Sequence, residues 1–180
     1  MRISTACRWL PFLAFAFGEA LALMLFFSVP RSVRGFARPE SEQNFADAPA
    51  DYFLPVEYLT IVLRSCDETG VPVWLACRLF YAESRWRWWA VGAAGEQGLA
   101  QLMPDLLPVF SELYNDGLRI NPYDPETSVR VGLRYLAHLK TETGDWRAAV
   151  AAYNCGLGRY RTGNIPQSTK NYVDAIFTRK

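Results

Sequence analysis

Glu83 ends the stretch VPVWLACRLFYAE (residues 71–83), in which Arg78 is the only other charged residue. A helix that is apolar nearly all round runs through a core, so this carboxyl is expected at the far end of a buried helix. Desolvation disfavours its anion, and the negative end of the helix dipole disfavours it further. A Glu that keeps its proton near neutrality can serve as a general acid. The same pattern also fits a surface Glu that merely follows an apolar helix. Beyond Ser84, Trp86, Trp88 and Trp89 supply three indoles, whose flat faces suit sugar rings and suit a core equally well. Gly92, Gly95 and Gly98 then recur at every third position and permit tight turns and close approach of a ligand to the backbone. No strand pattern precedes them and no Lys follows the last, so the stretch is not a phosphate loop. Gln101 and Met103 are read as the start of the next helix, where Gln101 offers an amide to a polar ligand or is a plain surface Gln.

A second constellation is AAVAAYNCGLGRY, residues 148–160. Its small residues let neighbouring helices approach closely, and it leads to Tyr153 and Asn154, a phenol and an amide at a helix end. Asn is also an ordinary residue of helix-ending turns, and a hydrogen-bonding phenol is common in cores.

Several other chemistries are excluded by counting. The chain has 180 residues, enough for one domain with a sizeable core. With 51% hydrophobic and 21% charged residues, it lies far from the composition of disordered chains. The net charge of +1 conceals an asymmetry, since residues 1–38 carry five Arg against the single acid Glu19. The remainder is slightly acidic and has no basic run, so it lacks the footprint of a nucleic-acid binder. Four Cys without a CxxC pair, and a single His, do not assemble a zinc site. His138 lies in a helical pattern beside Tyr135, Leu136 and Leu139 and receives no catalytic role. No metal and no cofactor is expected.

The elements that must position these residues are helical. No alternating strand pattern and no solenoid repeat occurs from Pro55 onward. Helices are expected at about 55–69, 72–84, 99–115, 125–141, 146–155 and 169–178. Asp124 before Pro125 and Glu126 is a helix start, Asp145 can cap the next helix, and Gly156 can end it. Residues 1–30, with Arg2 and Arg8 ahead of the apolar run Ala20–Val29, read as an export signal or, alternatively, an uncleaved membrane anchor. Arg31, Arg34 and Arg38 oppose simple translocation. Residues 31–54 read as a linker, which leaves 55–180 as the domain that carries the chemistry.

The ordered combination of Glu83-Ser84, GEQGLAQLMP (Gly95–Pro104), AAYNCG (Ala151–Gly156) and IPQSTKNYV (Ile165–Val173) resembles the catalytic domain of the soluble lytic transglycosylases, bacterial enzymes that cleave peptidoglycan. The resemblance runs from about Pro55 to Phe177. It implies an all-α, lysozyme-like fold with at most a small irregular or hairpin segment near residues 90–98. It further implies that Glu83 is the sole catalytic acid/base and that Ser84, Gln101, Met103, Tyr153, Asn154 and Tyr172 face substrate. Peptidoglycan glycan strands are then the partner, and an exported, periplasmic or envelope-associated protein the setting, with membrane association through the N-terminal segment. Three departures stand out: Gly92 where the family often has Ser, Ala100 in place of Met in Gly-Leu-Met-Gln, and Cys155 where Ala usually follows Tyr-Asn. Glu96 occupies a place where Ala is frequent. Set between Gly95 and Gln97-Gly98, it is expected in solvent, ionised and replaceable. The alternatives are a goose-type-lysozyme-like hydrolase in which Glu96 or another acid activates water, and a non-catalytic glycan-binding envelope protein.

Overall fold

A computed structural model describes residues 52–178. The expected export signal or anchor and all but the last three residues of the expected linker lie outside this range. Those three belong to the fold, because Tyr52 and Leu54 pack against the core and the Phe53 carbonyl accepts the Trp86 indole N–H at 3.1 Å.

Among the described residues the regular structure is helical. A short 3-10 turn (Val56–Tyr58) leads into α1 (Leu59–Thr69), followed by α2 (Val73–Ser84). After a long irregular stretch come a second 3-10 turn (Pro104–Leu106) and α3 (Leu107–Tyr114). The chain continues through α4 (Pro125–Thr143), α5 (Trp146–Cys155), α6 (Leu157–Arg161) and α7 (Gln167–Phe177). The starts of α4 and α5 have the causes expected of them. Asp124 accepts the Thr127 N–H at 2.8 Å, with Pro125 at the first helical position, and Asp145 accepts the Ala148 N–H at 2.9 Å. Gly70, at φ 69°, closes α1 in the left-handed conformation that a glycine adopts without steric cost.

The core forms around α4, which packs against α1, α3 and α5, while α7 lies against α2 and α5. Val129, Leu133, Leu136 and Leu139 of α4 are fully buried, as are Leu75, Leu79 and Phe80 of α2. α2 is therefore the core helix that its composition requires. Its Arg78 is set aside from the apolar faces and donates to the carbonyls of Ile176 and Thr178, tying α2 to the end of α7.

Two expectations are corrected. A helix starting at residue 99 does not form: residues 98–102 make turns, Gln101 is left-handed at φ 47°, and the α-helix begins only at Leu107. Gln101 and Met103 therefore sit in the approach to the helix and not on it. In addition, α6 follows Gly156 as a separate five-residue helix that was not anticipated. The segment near residues 90–98, expected to be at most irregular or a small hairpin, carries isolated antiparallel bridges pairing Val91 with Gln97 and Gln97 with Leu102. No helix among the described residues is long and apolar enough to cross a membrane, and none of their His, Cys, Asp and Glu side chains group in a way that could hold a metal ion.

Candidate active site

The last turn of α2 delivers Glu83, and the chain just beyond that turn is held in an unusual backbone conformation. Arg85 and Trp86 are consecutive non-glycine residues with positive φ, 53° and 63°. Such conformations cost roughly 1–3 kcal/mol each and persist only where surrounding contacts impose them. Those contacts are visible. The Arg85 N–H closes the helix on Tyr81 O at 2.9 Å, and both the backbone and Nε of Arg87 donate to Ser84 O. The buried Trp86 ring stacks on Tyr58, with ring centroids 5.6 Å apart. Trp86 is thus a core residue, whereas Trp88 and Trp89, 45% and 58% exposed, form an edge-to-face pair at the surface. The three neighbouring indoles therefore have different roles.

Ser84 is also structural. Its hydroxyl is buried and donates to Phe80 O at 3.2 Å within its own helix, so it secures the helix end. Met103 is half-buried at the entry to the Pro104–Leu106 turn, where its carbonyl accepts the Leu106 N–H.

Glu83 itself meets residues from distant parts of the chain. The Tyr172 hydroxyl of α7 donates to Glu83 Oε1. Burial pushes the Glu83 carboxyl up to about 7, the Tyr172 hydrogen bond pulls it back by favouring the anion, and the negative charge of Glu96 pushes it up again. In turn, burial and then the nearby Glu83 charge raise both Tyr153 and Tyr172 well above the ordinary phenol value, so both hydroxyls remain donors. Tyr153 donates to Ala100 O at 2.8 Å and packs against Tyr135. Asn154 is exposed, and its Oδ1 accepts the buried Thr169 hydroxyl at 2.7 Å, which leaves its amide N–H groups to face outward.

The opposite wall is the irregular stretch between α2 and α3. Gly98 at φ 77° lies so close to the backbone before α4 that a Cβ there would stand 1.7 Å from Pro122 O. The Ala100 N–H donates to Ser128 Oγ at 3.1 Å, and the Ala100 methyl faces Gly132, where an added Cβ would come within 2.7 Å of it. This small-against-small contact explains how Ala is accommodated at 100. Gln101 Nε2 donates to Gly98 O at 2.8 Å and to Ala90 O at 3.4 Å, bracing the stretch from within.

Glu96 requires a correction. It is half-buried, its Oε2 accepts the Ala94 N–H at 3.0 Å, and its charge is felt at Glu83. The expectation of a solvated turn carboxylate without a protein partner fails because Gly92, four residues earlier, has no side chain and leaves room for it. The sequence signal was present in the Gly92 departure, but only folding brings the two positions together.

The site therefore combines a half-buried carboxyl whose proton is poised near neutrality, a phenol that stabilises its anion, and polar groups on both walls. That set suits proton donation to, and later proton removal from, an uncharged polar substrate. A neighbouring cavity of about 630 Å³ between α2 and α7, lined by Tyr52, Arg78, Tyr81, Arg85 and Thr178 among others, contains none of these residues.

The comparisons with known proteins converge on the same stretch of chain. It matches the family model described as the transglycosylase SLT domain over residues 63–174. The chain is 30% identical over 112 residues to the soluble lytic murein transglycosylase of Escherichia coli strain K12, covering 60% of this chain and 17% of that protein. The crystal structure of the 70 kDa soluble lytic transglycosylase from Escherichia coli superposes with a TM-score of 0.61 at 29% identity, over 68% of this chain and 23% of that one. A complex of the 70-kDa soluble lytic transglycosylase with bulgecin A gives a TM-score of 0.62 at 27% identity, over the same shares. The chain thus spans less than a quarter of the length of these relatives, and the all-α, lysozyme-like arrangement is the part they share. With one family model accounting for more than half of its residues, the chain belongs to the transglycosylase SLT domain family.

Proposed function

We propose that this chain is a peptidoglycan lytic transglycosylase that cleaves the β-1,4 bond between N-acetylmuramic acid and N-acetylglucosamine and leaves a 1,6-anhydromuramyl end. The observation that carries this reading is the half-buried Glu83 carboxyl, raised to about 7 by desolvation and hydrogen-bonded by Tyr172. Protonated Glu83 donates its proton to the glycosidic oxygen as the C1–O bond breaks, and the substrate's own groups stabilise the oxocarbenium-like centre. The Glu83 carboxylate, held by the Tyr172 hydroxyl, then accepts the proton of the muramyl 6-hydroxyl while O6 bonds to C1. The acid is regenerated and no water is consumed. Asn154 and Gln101 serve as positioning groups for N-acetyl and hydroxyl groups of the strand. Segment 55–180 is the catalytic domain, and residues 1–30 serve as an export signal or anchor that delivers it to the periplasm or cell envelope of a bacterium.

The test is digestion of purified peptidoglycan by the full chain with products separated by mass. Anhydro-ended fragments, one water lighter than hydrolysis products, support the reading, and reducing-end fragments overturn it. Bulgecin A, found in complex with the related enzyme, is expected to bind this chain as well. A second reading, hydrolysis assisted by a second carboxylate, is favoured by one observation, the half-buried Glu96 whose charge acts on Glu83. The same product analysis separates the two.

Tyr172→Phe removes the donor that steadies the Glu83 anion. Turnover is expected to fall about tenfold or more, the scale of one hydrogen bond to a charged group. The alkaline limb of the pH–rate profile is expected to move upward, since the lost bond was the influence lowering the carboxyl. A limb that moves downward contradicts this assignment.

A further inference from the structure

Gly92 lacks a side chain, and a Cβ built on it would lie 2.2 Å from Glu96 Oε2 and 2.7 Å from Gln101 Oε1. The Glu96 carboxylate therefore stands in the space that any other residue at 92 would fill. It is fixed there by the Ala94 N–H at 3.0 Å and by the backbone bond from the Gly92 N–H to Glu96 O at 2.8 Å. Gln101 turns its Nε2 toward Gly98 O and Ala90 O, so Oε1 is the atom it presents to the same notch. Two acceptors converge beside position 92, where no side chain intervenes. Their complement is a donor, the N–H of an acetamido group or the O–H of a sugar ring.

We propose that Glu96 is a positioning residue of the Glu83 site, its carboxylate taking the place of the side chain that Gly92 lacks and, with Gln101, accepting an N–H or O–H of the bound glycan strand. The proposal deepens the lytic transglycosylase reading and rests on it. Glu96 also acts on Glu83 through space. The groups that face Glu83 are Tyr172 of α7, Tyr153 of α5 and Glu96 of the irregular stretch. Of these, Tyr172 favours the carboxylate and Glu96 opposes it by like charge. Glu96 thereby adds to the larger effect of burial in favouring the protonated acid.

The decisive experiment compares wild type, Glu96→Gln, Gly92→Ser, Glu96→Ala and the double variant Gly92→Ser/Glu96→Ala. Each is characterised by kcat and KM on purified peptidoglycan across pH and by thermal melting. Glu96→Gln is expected to raise KM and to move the alkaline limb downward by about half a pH unit, which is about a threefold loss of rate beyond the limb. Gly92→Ser alone meets the ends of two flexible side chains, the Glu96 carboxylate and the Gln101 amide, so it is expected to displace the carboxylate and raise KM at little cost in stability, and adding Glu96→Ala is expected to cause little further loss. An unchanged KM and pH limb in Glu96→Gln, or strictly additive effects at 92 and 96, would overturn the proposal. Reducing-end products from wild type would refute the transglycosylase reading separately, and the coupling of the two positions in KM would still decide whether they form a unit.

Discussion

Glu83→Gln is expected to fold normally and to lose about 10²- to 10⁴-fold in turnover, the range for removing a general acid. Gln preserves the size of the side chain and its hydrogen-bonding oxygen, so Tyr172 retains an acceptor, but it carries no transferable proton. A well-folded variant that cleaves peptidoglycan at a near-normal rate would falsify the assignment of Glu83. The wild-type rate should decline as pH rises through about 7, because the folded-state carboxyl is raised to that value and the acid must start protonated. The same shift predicts a stability difference. A carboxyl raised from 4.5 to about 7 on folding makes a stabilising contribution that is complete below 4.5 and is lost as pH rises through 7. The loss is at most about 3 kcal/mol. Gln cannot ionise, so the variant should melt at a higher temperature than wild type above pH 7, with the gap closing toward pH 5. A catalytic defect accompanied by greater alkaline stability is not what a misfolded variant shows.

The second large effect concerns the other wall. Gly98→Ala is expected to destabilise the protein by about 3 kcal/mol or more, combining a left-handed backbone that disfavours Ala with a forced displacement of Pro122. A Cβ at 98 would meet the Pro122 carbonyl oxygen at 1.7 Å, which is backbone and cannot rotate away. The melting temperature should fall by about 10 °C. Activity should fall in the fraction that remains folded, since this turn places Gln101 and the Ala100 carbonyl that receives Tyr153. Gly95→Ala is the control: φ is 93° but nothing lies within 4 Å of the added atom, so strain alone should cost about 1 kcal/mol. Equal losses at 95 and 98 would show that the Pro122 contact has no energetic weight.

What could be read in the sequence and what could not divides by the range of the interactions. The starts of α4 and α5 were legible because Asp124, Pro125 and Asp145 act within one turn. The burial of one face of α2 followed from its apolar composition, while Tyr81 in its last turn stands 52% exposed. The helix expected from residue 99 failed because Gly98 is held against Pro122 and Ala100 is tied to Ser128, contacts across 24 and 28 positions that override local helix propensity. Tyr172 could be assigned to Glu83 only through resemblance, since 89 positions separate them. Ser84, which the resemblance implies faces substrate, donates its hydroxyl to Phe80 O within its own helix, a local bond that its position in the sequence does not announce.

The cysteines add a last consequence. Cys66 on α1 and Cys77 on α2 are unpaired, buried thiols, both pushed up to about 12 chiefly by burial, while Cys155 near the end of α5 is only half-buried. Thiolate is the reactive form, so the two buried sulfurs are nearly inert as long as the helices stay closed. They act as a built-in clock for opening. The rate at which a thiol reagent reaches Cys66 and Cys77 measures how often the packing around α1 and α2 opens, and α2 is the helix that holds Glu83. In an oxidising compartment the same burial sets an order of events, since a fold completed before oxidant arrives keeps both thiols reduced, and a delayed one exposes them to crosslinking.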